Sequence, residues 1–236
     1  MARHTPASEG GYQRGEDTRT AILMAAVAVF GERGYEGAST RDIARMAGVN
    51  APAIQYYFDG KEGVYLQCVE LLITLLWQKM GAAVEAAEIV VADEQSNDGL
   101  LIEASLGILA GVLSTADDTP QIKAWRAFFD RHQAGYCPQS ATAAFEQRFK
   151  ARIEAVMRRL IGRLSRLDPE DDRAVIHAMA LLTQGLAFRA HKAGLLAAMN
   201  WTEASHRRME QVKDVVLTQA RFTLEGLALQ KEATLH

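Results

Sequence analysis

The chain has 236 residues, 49% of them hydrophobic and 23% charged, with a formal net charge of −3. That balance describes an ordinary globular protein, long enough for one large domain or a small head on a larger body, and it excludes attachment to nucleic acid through bulk basicity. Five prolines and long Ala-, Leu-, Glu- and Arg-rich segments favour helices over strands, so the expected fold class is all-α. Cys68 and Cys137 lack CxxC spacing, which argues against a zinc site or a disulfide framework and for a reducing cytoplasm.

Residues 1–15 are polar and Gly-containing and read as a disordered arm, neither signal peptide nor anchor. From Thr18 to Arg33, Ile22, Ala26 and Phe30 recur four apart with Leu23 and Val27 beside them, which predicts a helix that Gly34 stops. Ser39 stands three residues before Asp42, a capping-box spacing that opens a short helix through Ala47. Gly48 suits its C-terminal turn, and Asn50 can cap a third helix with Pro52 in its first turn. Asp59-Gly60 ends that helix, and Lys61-Glu62 starts a long fourth one. Further helices are expected near 98–115, 119–134, 142–166, 170–198 and 203–230, separated by breaks rich in Pro, Asp and Asn. The apolar window from Ala178 to Trp201 contains Gln184, Arg189, His191 and Lys192, too polar for a membrane span.

Helix, short turn, helix is an arrangement that reads duplex DNA by laying its second helix in the major groove. Ala51 and Ala53 are small enough for close approach, and the start of the third helix favours a nearby phosphate. Asn50 and Gln55 can meet base edges, while Thr40, Arg41, Tyr56, Tyr57 and Lys61 are placed to clamp phosphates and set register. Adjacent tyrosines point about 100° apart on a helix, so one of the two packs and the other touches phosphate. Residues 1–65 hold seven Lys/Arg against eight Asp/Glu, so this reading rests on placement and not on charge. The densest basic run, Arg148, Lys150, Arg152, Arg158, Arg159, Arg163 and Arg166, reads as the solvated face of an amphipathic helix.

The segment from Thr18 to Tyr65 resembles the N-terminal domain of the TetR family of bacterial transcriptional regulators. The residues that carry the resemblance are the Ile22–Phe30 helix, Gly34-Tyr35-Glu36-Gly37-Ala38-Ser39-Thr40, Ile43-Ala44, Ala47-Gly48-Val49, Tyr57-Phe58 and Lys61-Glu62. Asn50, Pro52 and Gln55 stand where that family usually has Ser or a similar residue, Gly and Tyr, so its base preferences do not transfer. The Asn-x-x-Ala-Ile-x-Tyr-x-Phe pattern, the Leu182–Arg189 run and the Asn200-Trp201-Thr202-Glu203 cap are similar to the subgroup typified by the CerR or CecR regulators. The resemblance implies an all-helical homodimer in which residues 16–62 form the DNA-binding head and residues 63–236 the effector-binding and dimerisation domain.

In that domain Trp125, Phe128, Phe129, Met157 and Leu160 could line an apolar cavity with Gln184, Phe188 and His191, although Gln184 and His191 also fit as satisfied core polar groups. The final helices, 170–198 and 203–230, are long and apolar on one face (Val212, Val216, Ala220, Leu224 and Leu227), which makes them candidates for a four-helix dimer interface. No catalytic constellation, cofactor motif or metal-ligand spacing is present in the sequence, so no enzyme is expected. The expected function is a cytoplasmic, ligand-responsive repressor that binds a palindromic operator as a homodimer and is released by a small, largely apolar ligand. The alternative is a helical small-molecule-binding protein or enzyme in which the helix-turn-helix only packs. The operator, the effector and the genes controlled are not legible.

Overall fold

The computed structural model describes residues 8–114, 119–190, 192–203 and 205–233. Among the described residues all regular structure is helical. The first four helices are α1 (Ser8–Gly37), α2 (Thr40–Ala47), α3 (Ala51–Phe58) and α4 (Lys61–Ala92). Next come α5 (Asp98–Leu113), α6 (Pro120–Gln133) and α7 (Gln139–Phe145), followed by a π-helical turn (Glu146–Lys150) and α8 (Ala151–Ser165). The remaining three are α9 (Asp172–Ala190), α10 (Lys192–Ala198) and α11 (His206–Ala233). The chain divides into two compact units. The first takes α1–α3, the start of α4, α6 and α7; the second takes the rest of α4, α5 and α8–α11.

In the first unit α1 begins at Ser8, so helix extends into the segment expected to be an unstructured arm. Its regular part ends where the sequence predicts, at Gly34 with φ 73°. Ile22, Ala26 and Phe30 are buried along one stripe. Ile43 and Ala44 of α2, Ile54 and Phe58 of α3, and Val64, Tyr65 and Cys68 of α4 are buried in the same unit, with the Phe30 and Tyr65 rings 4.9 Å apart. Helix α6 lies directly on α1: a Cβ at Gly31 would stand 3.0 Å from the Phe128 amide nitrogen and 3.1 Å from the Ala124 carbonyl oxygen. Arg131 of α6 seals the contact, donating from Nε to the Gly31 carbonyl at 2.8 Å and from Nη2 to the Glu32 carbonyl at 2.7 Å. A cation there satisfies orphan carbonyls and complements the negative end of α1.

The second unit is a bundle in which α5, α8, α9 and α11 pack on one another. Val212, Val216, Ala220, Leu224 and Leu227 of α11 are buried inside this bundle, which corrects their expected place at a dimer interface. Their stripe closes the chain's own core. Among the apolar residues left outside are Val215, Phe222 and Leu229 of α11, seven apart, and Ile176 and Met179 of α9, besides Ile89, Leu100 and Met199 elsewhere in the unit. Phe222 is 66% and Ile176 63% exposed.

The basic run on α8 is likewise more than a solvated face. Arg152 pairs both guanidinium arms with Glu88 at 2.7 Å, and Arg158 meets Glu170 at 3.0 Å. Arg163 reaches five backbone carbonyls at the end of α4 and in the turn that follows: those of Val90, Val91, Asp93, Glu94 and Ser96, at 2.6–3.3 Å. A planar fork of donors suits this task, because one cation there satisfies acceptors that the helix end leaves open.

Candidate nucleic-acid interface

Ser39 precedes α2 in extended conformation, and its Oγ accepts the Asp42 amide at 3.1 Å. The box is closed between side chains, since the Ser39 hydroxyl donates to Asp42 Oδ2 at 2.6 Å. Arg33 stands 3.2 Å from the same carboxylate, and Arg45 also pairs with it. The Ser39 hydrogen bond, then Arg33 and Arg45, hold the Asp42 carboxyl below its ordinary value against a desolvation that pushes it up. Arg33, Asp42 and Arg45 thereby tie the end of α1 to α2.

Between α2 and α3, Gly48 turns the chain with φ 69°, and the Val49 amide donates back to the Ala44 carbonyl at 3.0 Å. Asn50 occupies the N-cap position of α3 without a side-chain capping bond, so its amide is not spent on the helix start. Ile54 and Phe58 anchor α3 in the core. Ala51, Pro52, Gln55, Tyr56 and Asp59 are exposed and share the outer face of this element. Tyr56 is 83% exposed, the extreme among the large hydrophobic side chains of the described residues.

The two tyrosines separate as adjacent helical positions must. Tyr57 is half-buried, and its hydroxyl lies 3.8 Å from where a Cβ on Gly15 of α1 would be, while the Tyr56 ring meets it edge-on at 5.0 Å. Thr40 is half-buried and Arg41 exposed at the start of α2. Ala53 is half-buried. Lys61 begins α4 with its ammonium 4.3 Å from the centre of the Tyr35 ring, so a cation–π contact holds it in place. All nine residues expected at a DNA surface thus lie on α2, on α3 and its N-cap, and at the adjoining start of α4.

Gly63 explains why α3 can sit this close to α4. A Cβ there would lie 1.7 Å from the Phe58 carbonyl oxygen, a distance no side chain survives. Sequence reasoning treated Asp59 only as a helix terminator, yet it stands on the exposed face with φ 57°. The signal available was its spacing of four from Gln55, which places the two on one side of a helix.

The residues proposed from sequence as effector walls do not gather in one unit. Trp125, Phe128 and Phe129 are buried in the first unit, where Phe128 packs its ring near Phe30, Tyr65, Trp125 and His132. His132 is buried beside the Tyr65 hydroxyl, with 3.4 Å between Nδ1 and Oη, and burial pushes its pKa down while Glu146 partly opposes the shift. Met157 and Leu160 are buried in the second unit. Gln184 is half-buried there and donates to Gln219 of α11 at 3.0 Å. The Phe188 side chain and His191 lie outside the described residues. A groove of about 490 Å³ opens between α5 and α11, with Leu106, Gly107, Ala110 and Leu217 along it and the Glu103–Arg221 pair among its polar lining.

A short helix-turn-helix whose second helix leaves its outer face bare, in a chain with a second helical unit, is an architecture found in helix-turn-helix transcriptional regulators. Residues 22–68 match the family of bacterial regulatory proteins called the tetR family. Residues 102–227 match the C-terminal domain of the HTH-type transcriptional dual regulator CecR. The chain is 30% identical over 217 residues to the dual regulator CecR of Shigella flexneri, covering 91% of this chain and 95% of that one. It belongs to the TetR family, with a C-terminal domain of the CecR type. Its fold is similar to that of AibR, solved with isovaleryl coenzyme A and operator DNA: the TM-score is 0.61 at 16% identity, over 86% of this chain and 97% of that one. A transcriptional regulator from Rhodococcus sp. Rha1 gives 0.59 at 16% identity, over 86% and 95%. Among the described residues, no helix is long and apolar enough to cross a membrane.

Proposed function

We propose that this regulator represses transcription in the cytoplasm by occupying a palindromic operator as a homodimer, and that a small, largely apolar ligand releases it. The observation that carries the reading is the outer face of α3. Small residues at Ala51 and Pro52 clear a path for the backbone, Gln55 and Tyr56 project beyond them, and Ile54 and Phe58 fix the helix from behind. In this reading Asn50 and Gln55 meet base edges, Ala51 and Ala53 approach thymine methyl groups, and Thr40, Arg41, Tyr56 and Lys61 take phosphates. Tyr56 is the phosphate contact and Tyr57 the packed ring, in keeping with their exposures.

The homodimer is supported by the apolar face that α9 and α11 leave outside. Val215, Phe222 and Leu229 recur every seven residues, the period at which two helices mesh side by side. Two heads across a two-fold axis would meet half-sites roughly 34–36 Å apart. Residues 16–62 act as the head and residues 63–236 as the effector and dimer domain, with Met157, Leu160 and Gln184 as candidate walls of the effector site. A ligand shifts such a switch only by its differential affinity for the two states, and a coupling of about 1–3 kcal/mol changes operator affinity roughly 5- to 150-fold.

The Shigella flexneri relative is named a dual regulator, which supports activation at some sites as a second reading. Titrating duplex DNA from upstream of the protein's own gene over a salt series tests the operator binding on which both rest, and transcription from that duplex with and without the protein separates repression from activation. Each head brings Arg41 and Lys61 to phosphates, so a dimer should show a log–log salt slope of about −3 to −4. Binding that is equal for operator and scrambled duplex would overturn the reading.

A further inference from the structure

Asp59 breaks three local rules at once. The residue that follows a helix in left-handed conformation is usually Gly, yet Asp59 adopts φ 57°, ψ 36° there. A negative charge at a helix C-terminus opposes the helix dipole. A carboxylate on the outer face of α3, beside Gln55 and Tyr56, repels the phosphates that the proposed function brings to that face. Local rules fail together where a residue serves something other than folding.

What Asp59 does is visible in its contacts. Its Oδ1 accepts a hydrogen bond from Gln55 Nε2 at 2.7 Å, and its backbone amide donates to the Gln55 carbonyl at 3.1 Å. Gln55 Oε1 lies beside the turn, 3.4 Å from where a Cβ on Gly60 would stand, an ordinary van der Waals distance. We infer that Asp59 is a specificity-determining residue, which fixes the Gln55 amide in one of its two flipped orientations on the outer face of α3. The inference rests on α3 being the reading helix.

The carboxylate takes one of the two amide hydrogens. The other hydrogen and Oε1 remain as a donor beside an acceptor, the pair that complements N7 and the N6 amino group of adenine in the major groove. Without the carboxylate the amide turns over freely, donor and acceptor exchange places, and the preference for adenine falls. The same charge weakens attachment to any phosphate backbone that lacks a matching base. Asp59 therefore raises the ratio of specific to non-specific binding while lowering both affinities.

The test selects duplexes from a randomised pool with the full chain and with Asp59→Gly, Asp59→Asn, Gln55→Ala and the Asp59→Gly/Gln55→Ala double variant, then titrates the selected operator and a scrambled duplex. Glycine suits the left-handed backbone and asparagine keeps an acceptor, so both variants hold the turn. The unsubstituted chain should enrich adenine at one position of each half-site, and Gln55→Ala should lose it. Asp59→Gly should lose the same preference, bind the scrambled duplex more tightly and lower the specificity ratio at least tenfold. Asp59→Asn, whose own amide can turn to offer Gln55 a donor as readily as an acceptor, should relax the adenine preference without abolishing it, and the double variant should match Gln55→Ala in base preference. If Asp59→Gly tightens both duplexes by one factor with the adenine preference intact, or if Asp59→Asn keeps that preference at full strength, the inference is wrong. Should the unsubstituted chain enrich no sequence at all, the DNA-reading function itself is overturned and this inference with it.

Discussion

Replacing Gly63 by Ala adds one methyl group in a helix, where intrinsic propensity favours alanine by about 1 kcal/mol. The structure reverses that sign. The new Cβ would stand 1.7 Å from the Phe58 carbonyl oxygen and 2.9 Å from its carbon. Carbon–oxygen contacts settle near 3.3 Å, so the end of α3 must retreat by about 1.6 Å. Overpacking of this kind costs about 1–3 kcal/mol, or roughly 2–12 °C of melting temperature in a chain of this size. The functional loss should exceed the loss of stability, because a reading surface tolerates displacements of only about 0.5 Å. Operator affinity should fall at least tenfold, about 1.4 kcal/mol. The control is Gly107→Ala on α5, where an added Cβ meets nothing within 4 Å and the change should be neutral or stabilising by up to about 1 kcal/mol. Thermal melting by circular dichroism and DNA titration report the two effects separately. A Gly63→Ala protein that melts and binds as the unsubstituted chain does would refute the steric reasoning.

Tyr56→Ala should weaken operator binding roughly 3- to 30-fold, about 0.7–2 kcal/mol, at an unchanged melting temperature, whereas Tyr57→Ala should lower both; equal effects of the two would reverse their roles. Arg163→Ala strands five carbonyls, its two shortest contacts being 2.6 and 2.8 Å, and should destabilise by about 2–4 kcal/mol; Arg163→Lys should recover no more than half, because a single ammonium cannot span the set. Burial lowers the His132 pKa in the folded chain, so the unfolded chain takes up the proton first. Stability should then decline as pH drops below the ordinary imidazole value of about 6.5, by up to about 1.4 kcal/mol per pH unit, and flatten below the folded value. His132→Gln should remove that part of the pH profile, measured by urea denaturation at successive pH values. Phe222→Glu places a charge on the exposed face of α11 and should yield a folded monomer by sedimentation with operator binding lost; a dimer of undiminished affinity would move the interface elsewhere.

The head was legible because its rules are local. Ser39 with Asp42, Gly34, Gly48 and the Ile22-Ala26-Phe30 stripe each act over three or four residues, and hydrogen-bond geometry at that range leaves few alternatives. Asp59 escaped notice because its value as a helix terminator hid its bond to Gln55. Trp125, Phe128 and Phe129 were legible as buried but not as members of the first unit, since periodicity names a face and not its partner.

Alpha-helical class, the order of α1–α4 and the start of α3 are thus determined by the chain itself, through caps, breakers and the spacing of apolar residues. Which side of α11 turns inward was decided only by packing. Both its stripes are apolar, Val212-Val216-Ala220-Leu224 and Val215-Phe222-Leu229, and a hydrophobic residue carries no mark of whether its own fold or another molecule covers it. The grip of Arg163 on α4 belongs to the same category, for its acceptors lie some 70 residues away in the chain and come within reach only when α8 packs beside α4.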